Sequence, residues 1–262
     1  MGFWGSERRT VAGLGWVGAP GGGRELLVVG ASLGTGVEAL WGDCVERLGE
    51  RFDVLGWEVP GHGSGEPAAA AFSVEELAGR VVAGVEEIWG AGAFRYAGDS
   101  LGGAVGLVLL ADHADRVSGA TLACTSARFS APRMWHERAA LVRAEGTEAV
   151  VKGSRERWFS PGFADREPAA VEVLIASLRA VDDESYALAC EALAEFDIRE
   201  RLGQIVRPFA LIAGRDDVAT PIADAQRIVN GAPGAQLTIL DDVAHLAPIE
   251  APDRVAKILS NP

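Results

Sequence analysis

Three polar side chains could act together in this chain: Ser100, Asp217 and His245, in that order. A serine hydroxyl is a weak nucleophile until an imidazole takes its proton, and a carboxylate fixes the imidazole in the tautomer that can do so. Ser100 lies in Gly98-Asp99-Ser100-Leu101-Gly102-Gly103, between an apolar strand-like run and an apolar helical segment. The glycines permit a strained strand-to-helix turn, because side chains at 98 and 102 would collide with the neighbouring strand and helix. The helix that follows points its N-terminus at the site, so the amide of Leu101 faces developing negative charge. The expected chemistry is acyl transfer to a serine.

Such a serine is followed in the chain first by its acid, then by its base. Phe209-Ala210-Leu211-Ile212-Ala213-Gly214-Arg215-Asp216-Asp217 supplies a strand ending in two carboxylates. A G-x-x-D spacing from Gly214 favours Asp217, which leaves Asp216 as a surface or loop-bracing residue. Four histidines compete for the base. His62 lies in a Gly-rich turn and reads as structural, His113 ends a helix facing solvent, and His136 falls in the middle of the chain. Only His245, in Asp242-Val243-Ala244-His245-Leu246, follows the last strand, so it is assigned as general base. The second oxyanion donor is expected from Gly30-Ala31-Ser32-Leu33-Gly34-Thr35, at the amide of Ser32. Asp99 fails as a nucleophile, since the flanking glycines would have to stand where Ala97 and Leu101 stand. Without an HExxH or a His/Cys cluster, no metal is expected.

The elements that must position these residues are legible from hydrophobic periodicity. Glu25-Leu26-Leu27-Val28-Val29-Gly30 and Phe52-Asp53-Val54-Leu55-Gly56-Trp57 read as short buried strands, with a helix over 37–48 between them. Ser73-Val74-Glu75-Glu76 is a capping box opening a helix to about Trp89. Strands over 94–97 and 117–124 enclose a helix over 104–111. From about 126 to 202 strand patterns vanish and helical segments dominate, with Trp135, Trp158, Phe159 and Tyr186 spaced among charges. Strands return at 209–213 and 235–240, before a final helix near 253–259. Strands separated by helices imply right-handed crossovers and a mostly parallel sheet. A helical insertion of roughly 75 residues is far longer than an ordinary connection and is expected to cover something. The expected organisation is an α/β core over 1–125 and 205–262 with a helical cap over 126–204.

Composition narrows the class. In 262 residues, 24 basic side chains face 37 acidic ones, a formal charge of −13. That balance argues against a nucleic-acid or anionic-membrane partner. The apolar share of 48% is too high for disorder and suffices for a core without staples. Cys44, Cys124 and Cys190 are odd in number and scattered, as in a reducing compartment. There is no apolar run of transmembrane length. Met1-Gly2-Phe3-Trp4-Gly5-Ser6 matches a myristoylation pattern, but 22 Arg against 2 Lys suggests high-GC bacterial coding, and the match is read as accidental. Arg8 and Arg9 are not followed by the apolar core of a secretory signal, so the cytoplasm is the expectation. The residues carry no signal of oligomeric state.

These motifs together resemble the α/β-hydrolases, and within them the 3-oxoadipate enol-lactonases of aromatic-acid catabolism. The likeness runs over 25–252. Its general part is Ser32-Leu33-Gly34-Thr35, Pro60-Gly61-His62-Gly63, the serine turn, the 214–221 loop and Ala244-His245-Leu246. Its more specific part lies in the insertion: Thr125-Ser126-Ala127-Arg128, Met134-Trp135 with Arg138, Glu145-Gly146, Arg157-Trp158-Phe159, residues 186–190 and residues 197–202. The resemblance implies the α/β-hydrolase fold, Ser100 as nucleophile, Asp217 as acid, His245 as base, and the amides of Ser32 and Leu101 as the oxyanion hole. The implied reaction opens the enol-lactone with water, through an acyl-enzyme and without a cofactor, in the β-ketoadipate pathway. A carboxylesterase, a carbon–carbon hydrolase and a cofactor-free perhydrolase share such triads, and a non-catalytic ligand-binding member would not need all three residues. Asp99 departs from the family, where an apolar residue is more usual. A carboxylate about 4 Å from the reacting centre would cost an anion about 1–4 kcal/mol, unless it turns toward a structural partner.

A local charge pattern agrees with an anionic lactone or ester as substrate. Between Arg128 and Trp158, seven basic residues (Arg128, Arg133, Arg138, Arg143, Lys152, Arg155, Arg157) stand against four acidic ones (Glu137, Glu145, Glu148, Glu156). A free carboxylate is best bound by the fork of an arginine. Arg138 or Arg157 is the expected anchor, with Trp135 and Trp158 as apolar walls. The alternative for each arginine is a solvated helix face.

Overall fold

The computed structural model describes residues 13–17, 22–129 and 131–260. The readings made on residues 1–9 lie outside them. Six apolar runs form parallel strands, Glu25–Gly30 (β2), Phe52–Trp57 (β3), Phe94–Asp99 (β4), Val117–Ala123 (β5), Phe209–Gly214 (β6) and Ala235–Leu240 (β7). A short strand not foreseen, Leu14–Trp16 (β1), pairs antiparallel with β3. Among the described residues the sheet order is β1-β3-β2-β4-β5-β6-β7. β2 and β4 lie at its centre and are buried almost throughout, as expected where both faces are covered. Their carboxyl ends carry the 30–35 loop and Ser100 side by side, since Gly30 pairs with Gly98.

Helices Val37–Leu48 (α1), Val74–Trp89 (α2) and Leu101–Asp112 (α3) follow β2, β3 and β4. Between β5 and β6 come Pro132–Glu145 (α4), Glu148–Trp158 (α5), Phe163–Arg166 (α6), Pro168–Arg179 (α7), Asp183–Glu195 (α8) and a 3-10 helix at Arg199–Gln204. Ile222–Gly231 (α9), Ala247–Glu250 (α10) and Pro252–Ser260 (α11) complete the chain. Helices cover both faces of the sheet, with α1 packed on α11 and α2 packed on α3. The inserted helices pack chiefly on one another, α4 on α8 and α5 on α7, and α7 touches α1 of the core. They form a helical cap region.

Helix α3 is buried from Leu101 to Leu110 because it is apolar on every side. It starts three residues earlier than its apolar run suggests, and β4 runs two residues later. The glycines between them therefore belong to the elements, not to a loop. Helix α9 is not among the helices expected from the sequence, although Ile222, Ala225, Ile228 and Val229 recur at helical spacing; it spans barely three turns.

The capping box on α2 is complete. Ser73 Oγ accepts from the Glu76 N–H at 3.1 Å and the Glu76 carboxylate accepts from the Ser73 N–H at 3.0 Å. Ser73→Ala should cost about 1 kcal/mol and lower the melting temperature by about 2–4 °C, which calorimetry will read.

Candidate active site

The turn between β4 and α3 is as tight as its glycines suggest. A Cβ on Gly98 would run into the carbonyl of Gly102, and one on Gly102 into that of Gly30. Ser100 itself sits at φ 53°, a conformation that costs a non-glycine residue about 1–3 kcal/mol. Neighbouring bonds hold it there: the Ser100 N–H donates to Ala123 at 2.9 Å, and its carbonyl accepts the Thr125 hydroxyl at 2.7 Å. Leu101 opens α3, so its N–H belongs to the first turn, where no carbonyl lies four residues back. Ser32 follows the end of β2, and its carbonyl is fixed by the Thr35 N–H (3.1 Å) and hydroxyl (2.9 Å).

The three side chains meet. His245 Nε2 lies 2.9 Å from Ser100 Oγ, and His245 Nδ1 lies 2.9 Å from Asp217 Oδ2. An ionised Asp217 can only accept, so the consistent tautomer has Nδ1–H donating to the carboxylate and Nε2 accepting the serine proton. All three residues are buried. Asp217 Oδ1 also accepts the N–H groups of Ala219 (2.8 Å) and Thr220 (2.9 Å), and Oδ2 accepts the Thr220 hydroxyl at 2.7 Å. Burial alone would raise the Asp217 carboxyl, but the His245 imidazole and the Thr220 bonds outweigh it and hold the carboxyl below its ordinary value. This is a serine-hydrolase triad, able to attack a small ester or lactone.

Asp216 is only half-buried and lies outside this contact set. His62 is buried in its turn, where Nδ1 is 3.0 Å from the Pro60 carbonyl and the ring stacks on Tyr186 at 6.2 Å; burial lowers its pKa to about 4. His113 caps the end of α3, and His136 is exposed beside Glu195.

The pocket over Ser100 and His245 is small, about 120 Å³, and is lined by Ser32, Trp135, Arg138, Arg157, Trp158 and Tyr186 among others. A cavity well under about 300 Å³ suits a small substrate. The basic excess of the insertion divides cleanly. Arg128, Arg133, Arg143 and Arg155 pair with acidic neighbours, and Lys152 is exposed. Arg138 and Arg157 instead turn into the pocket, and among the described residues neither has a carboxylate within ion-pair distance. The Arg138 guanidinium stacks over the Trp135 ring at 5.0 Å. Burial and the charge of Arg138 together lower the pKa of Arg157. The indole N–H of Trp135 is buried without a partner.

Thr220 and Tyr186 were not assigned roles from the sequence. A threonine three residues after a candidate acid is the signal that could have pointed to Thr220, through its side-chain turn. Tyr186 offered only its place in the insertion.

Asp99 is fully buried and is not among the residues lining the pocket. The alternative of a structural partner is not met, since among the described residues neither carboxylate oxygen has a hydrogen-bond partner. Burial, then the charges of Asp217 and Glu250, raise its pKa well above 3.8. The folded protein therefore keeps this proton where the unfolded chain has lost it. Stability is whole below the unfolded pKa and falls as pH rises toward the folded one, by at most about 1.4 kcal/mol per pH unit. Asp99→Asn should leave the melting temperature almost unchanged near pH 4 and raise it increasingly toward neutral pH. A difference independent of pH would show that Asp99 titrates alike in both states.

The model of the α/β hydrolase fold matches residues 26–166. A 3-oxoadipate enol-lactonase of Acinetobacter baylyi is 31% identical over 229 residues, covering 87% of this chain and 85% of that protein. A pimeloyl-[acyl-carrier protein] methyl ester esterase of Vibrio vulnificus is 28% identical, covering 82% and 85%. The crystal structure of the enol-lactonase from Burkholderia xenovorans LB400 superposes with a TM-score of 0.88 at 31% identity, over 94% of each chain. With its serine turn, its triad and its parallel sheet in place, the chain belongs to the α/β-hydrolase family and is closely related to the 3-oxoadipate enol-lactonases.

Proposed function

We propose that this hydrolase opens 3-oxoadipate enol-lactone to 3-oxoadipate. The observation that carries the reading is the pair Arg138 and Arg157, turned without carboxylate partners into a small pocket that also holds Ser100. Both arginines are only half-buried at the pocket wall, and an anionic substrate supplies the counter-ion that no described carboxylate provides. The unpartnered N–H of Trp135 offers a further donor to an oxygen of the same substrate. Trp135 and Trp158 supply apolar walls. The named activities of the Acinetobacter and Burkholderia relatives support the same substrate.

In this mechanism His245 takes the Ser100 proton as the hydroxyl oxygen attacks the lactone carbonyl. The amides of Ser32 and Leu101 receive the oxyanion, and the ring C–O bond breaks as the tetrahedral intermediate collapses. The departing enolate is a better leaving group than an alkoxide. It takes its proton from the His245 imidazolium and relaxes to the ketone. Water, deprotonated by His245, then attacks the acyl-enzyme and frees Ser100. The catalytic core would span 1–125 and 205–262, with 126–204 as the cap that selects the substrate. The three described cysteines are buried and unpaired, which fits a cytoplasmic enzyme.

Turnover of enzymatically generated enol-lactone should exceed turnover of neutral aryl esters. Preference for the aryl esters would instead make the protein a carboxylesterase of this fold. Ser100→Ala should lower turnover by about 10⁶ and abolish fluorophosphonate labelling. Wild-type protein that resists that label would be a binding protein. Arg138→Gln or Arg157→Gln should raise KM for the acidic lactone about ten- to hundred-fold, the worth of a charge-assisted hydrogen bond, and spare a neutral aryl ester. Equal losses on both substrates would remove the anchoring role.

A further inference from the structure

Glu250, the last residue of α10, is bound in a way that the triad chemistry does not use. Its Oε1 accepts the N–H of Ala244, the residue before His245, at 2.8 Å. Its Oε2 accepts the N–H of Ser160, two residues beyond Trp158, also at 2.8 Å. The Ser160 segment belongs to the cap and follows directly on Arg157 and Trp158, both in the pocket wall. A third bond closes the same junction, from the His245 N–H to the Trp158 carbonyl at 3.2 Å. One carboxylate thus holds the backbone of the base-bearing loop and the backbone of the pocket wall at once.

We infer that Glu250 is a positioning residue that locks the His245 loop to the Trp158–Ser160 segment of the cap, so that the base and the substrate wall move as one unit. The carboxyl group suits this task because each of its two oxygens accepts a backbone N–H from a different segment, so one side chain bridges both. A polar junction between cap and core is otherwise open to water, and two neutral carbonyls from separate segments would not tie the segments together. The consequence reaches catalysis through His245, whose Nε2 must stay 2.9 Å from Ser100 Oγ. A displacement of about 1 Å in such a pair can cost roughly a hundred-fold in rate. It reaches binding through Trp158 and Arg157, so the two kinetic constants should respond together.

The inference rests on the serine-hydrolase reading but not on the identity of the lactone, and the test therefore uses a neutral aryl ester and a fluorophosphonate. Glu250→Gln keeps the volume and one acceptor oxygen while setting an NH2 group against one of the two backbone N–H groups. In folded variant, kcat on the ester should fall about ten- to hundred-fold, KM should rise several-fold, and the fluorophosphonate inactivation rate should fall in step with kcat. A folded variant with a lowered melting temperature and wild-type kcat would make Glu250 merely structural and overturn the inference. Should Gln at 250 prevent folding, Glu250→Asp carries the same test, because the shorter side chain reaches one amide at a time. Failure of both variants to fold would likewise mark the contact as structural and overturn it. Wild-type protein that fails to react with the fluorophosphonate would instead count against the hydrolase reading itself.

Discussion

The hydrogen bond from Ser100 Oγ to His245 Nε2 joins residues 145 positions apart, and most of the molecule can be understood as what holds that bond at 2.9 Å. One partner is fixed by steric necessity. Two glycines pressed against backbone leave the chain a single way from β4 into α3, and that path places Ser100 at positive φ with its hydroxyl raised over the sheet. The other partner stands on an irregular loop after β7 and has no such constraint of its own. It is steadied from three sides, by Asp217 through Nδ1, by Trp158 through the backbone and by Glu250 through the preceding amide.

The electrostatics of the site follow from where water has been removed. Asp217 is buried but remains ionised because four donors converge on its two oxygens. Asp99, close enough for the charge of Asp217 to act on it, has no donor among the described residues, and the same burial raises its pKa. Carboxyl groups in one buried neighbourhood thus have pKa values moved in opposite directions, for reasons that can be counted in hydrogen bonds. On the cap side the balance is reversed. Among the described residues no carboxylate pairs with Arg138 or Arg157, and under the proposed function the substrate's own carboxylate fills that place.

The cap contributes more than a cover. Tyr186 on α8 stacks on His62 of the core, and the Asp182 N–H donates to the Gly61 carbonyl at 3.0 Å. Together with the junction at Ser160, these contacts seat the inserted helices on the core at two well-separated stretches of the chain. Under the proposed function, substrate contacts from α4 and α5 can therefore be precise, although the insertion packs mainly on itself.

The sequence by itself determined whatever is a local demand on the backbone or a consequence of chain order. The strand-to-helix turn at Ser100 requires its glycines, the capping box at Ser73 its partner at Glu76, and the succession of Ser100, Asp217 and His245 reflects the order in which strands deliver their loops to one edge. Elements such as α1 and β2 are legible almost to the residue, while β1 and α9, of three and ten residues, are too short to stand out. Only the tertiary structure decided which arginines of the insertion face inward, because α4 and α5 carry charges around most of their circumference and packing against α8 and α7 selects the buried side. It alone decided that Asp99 would find no partner and that Glu250 would find two. Those outcomes depend on which backbone amides from distant segments come within about 3 Å of a carboxylate, and no spacing along one chain encodes that distance.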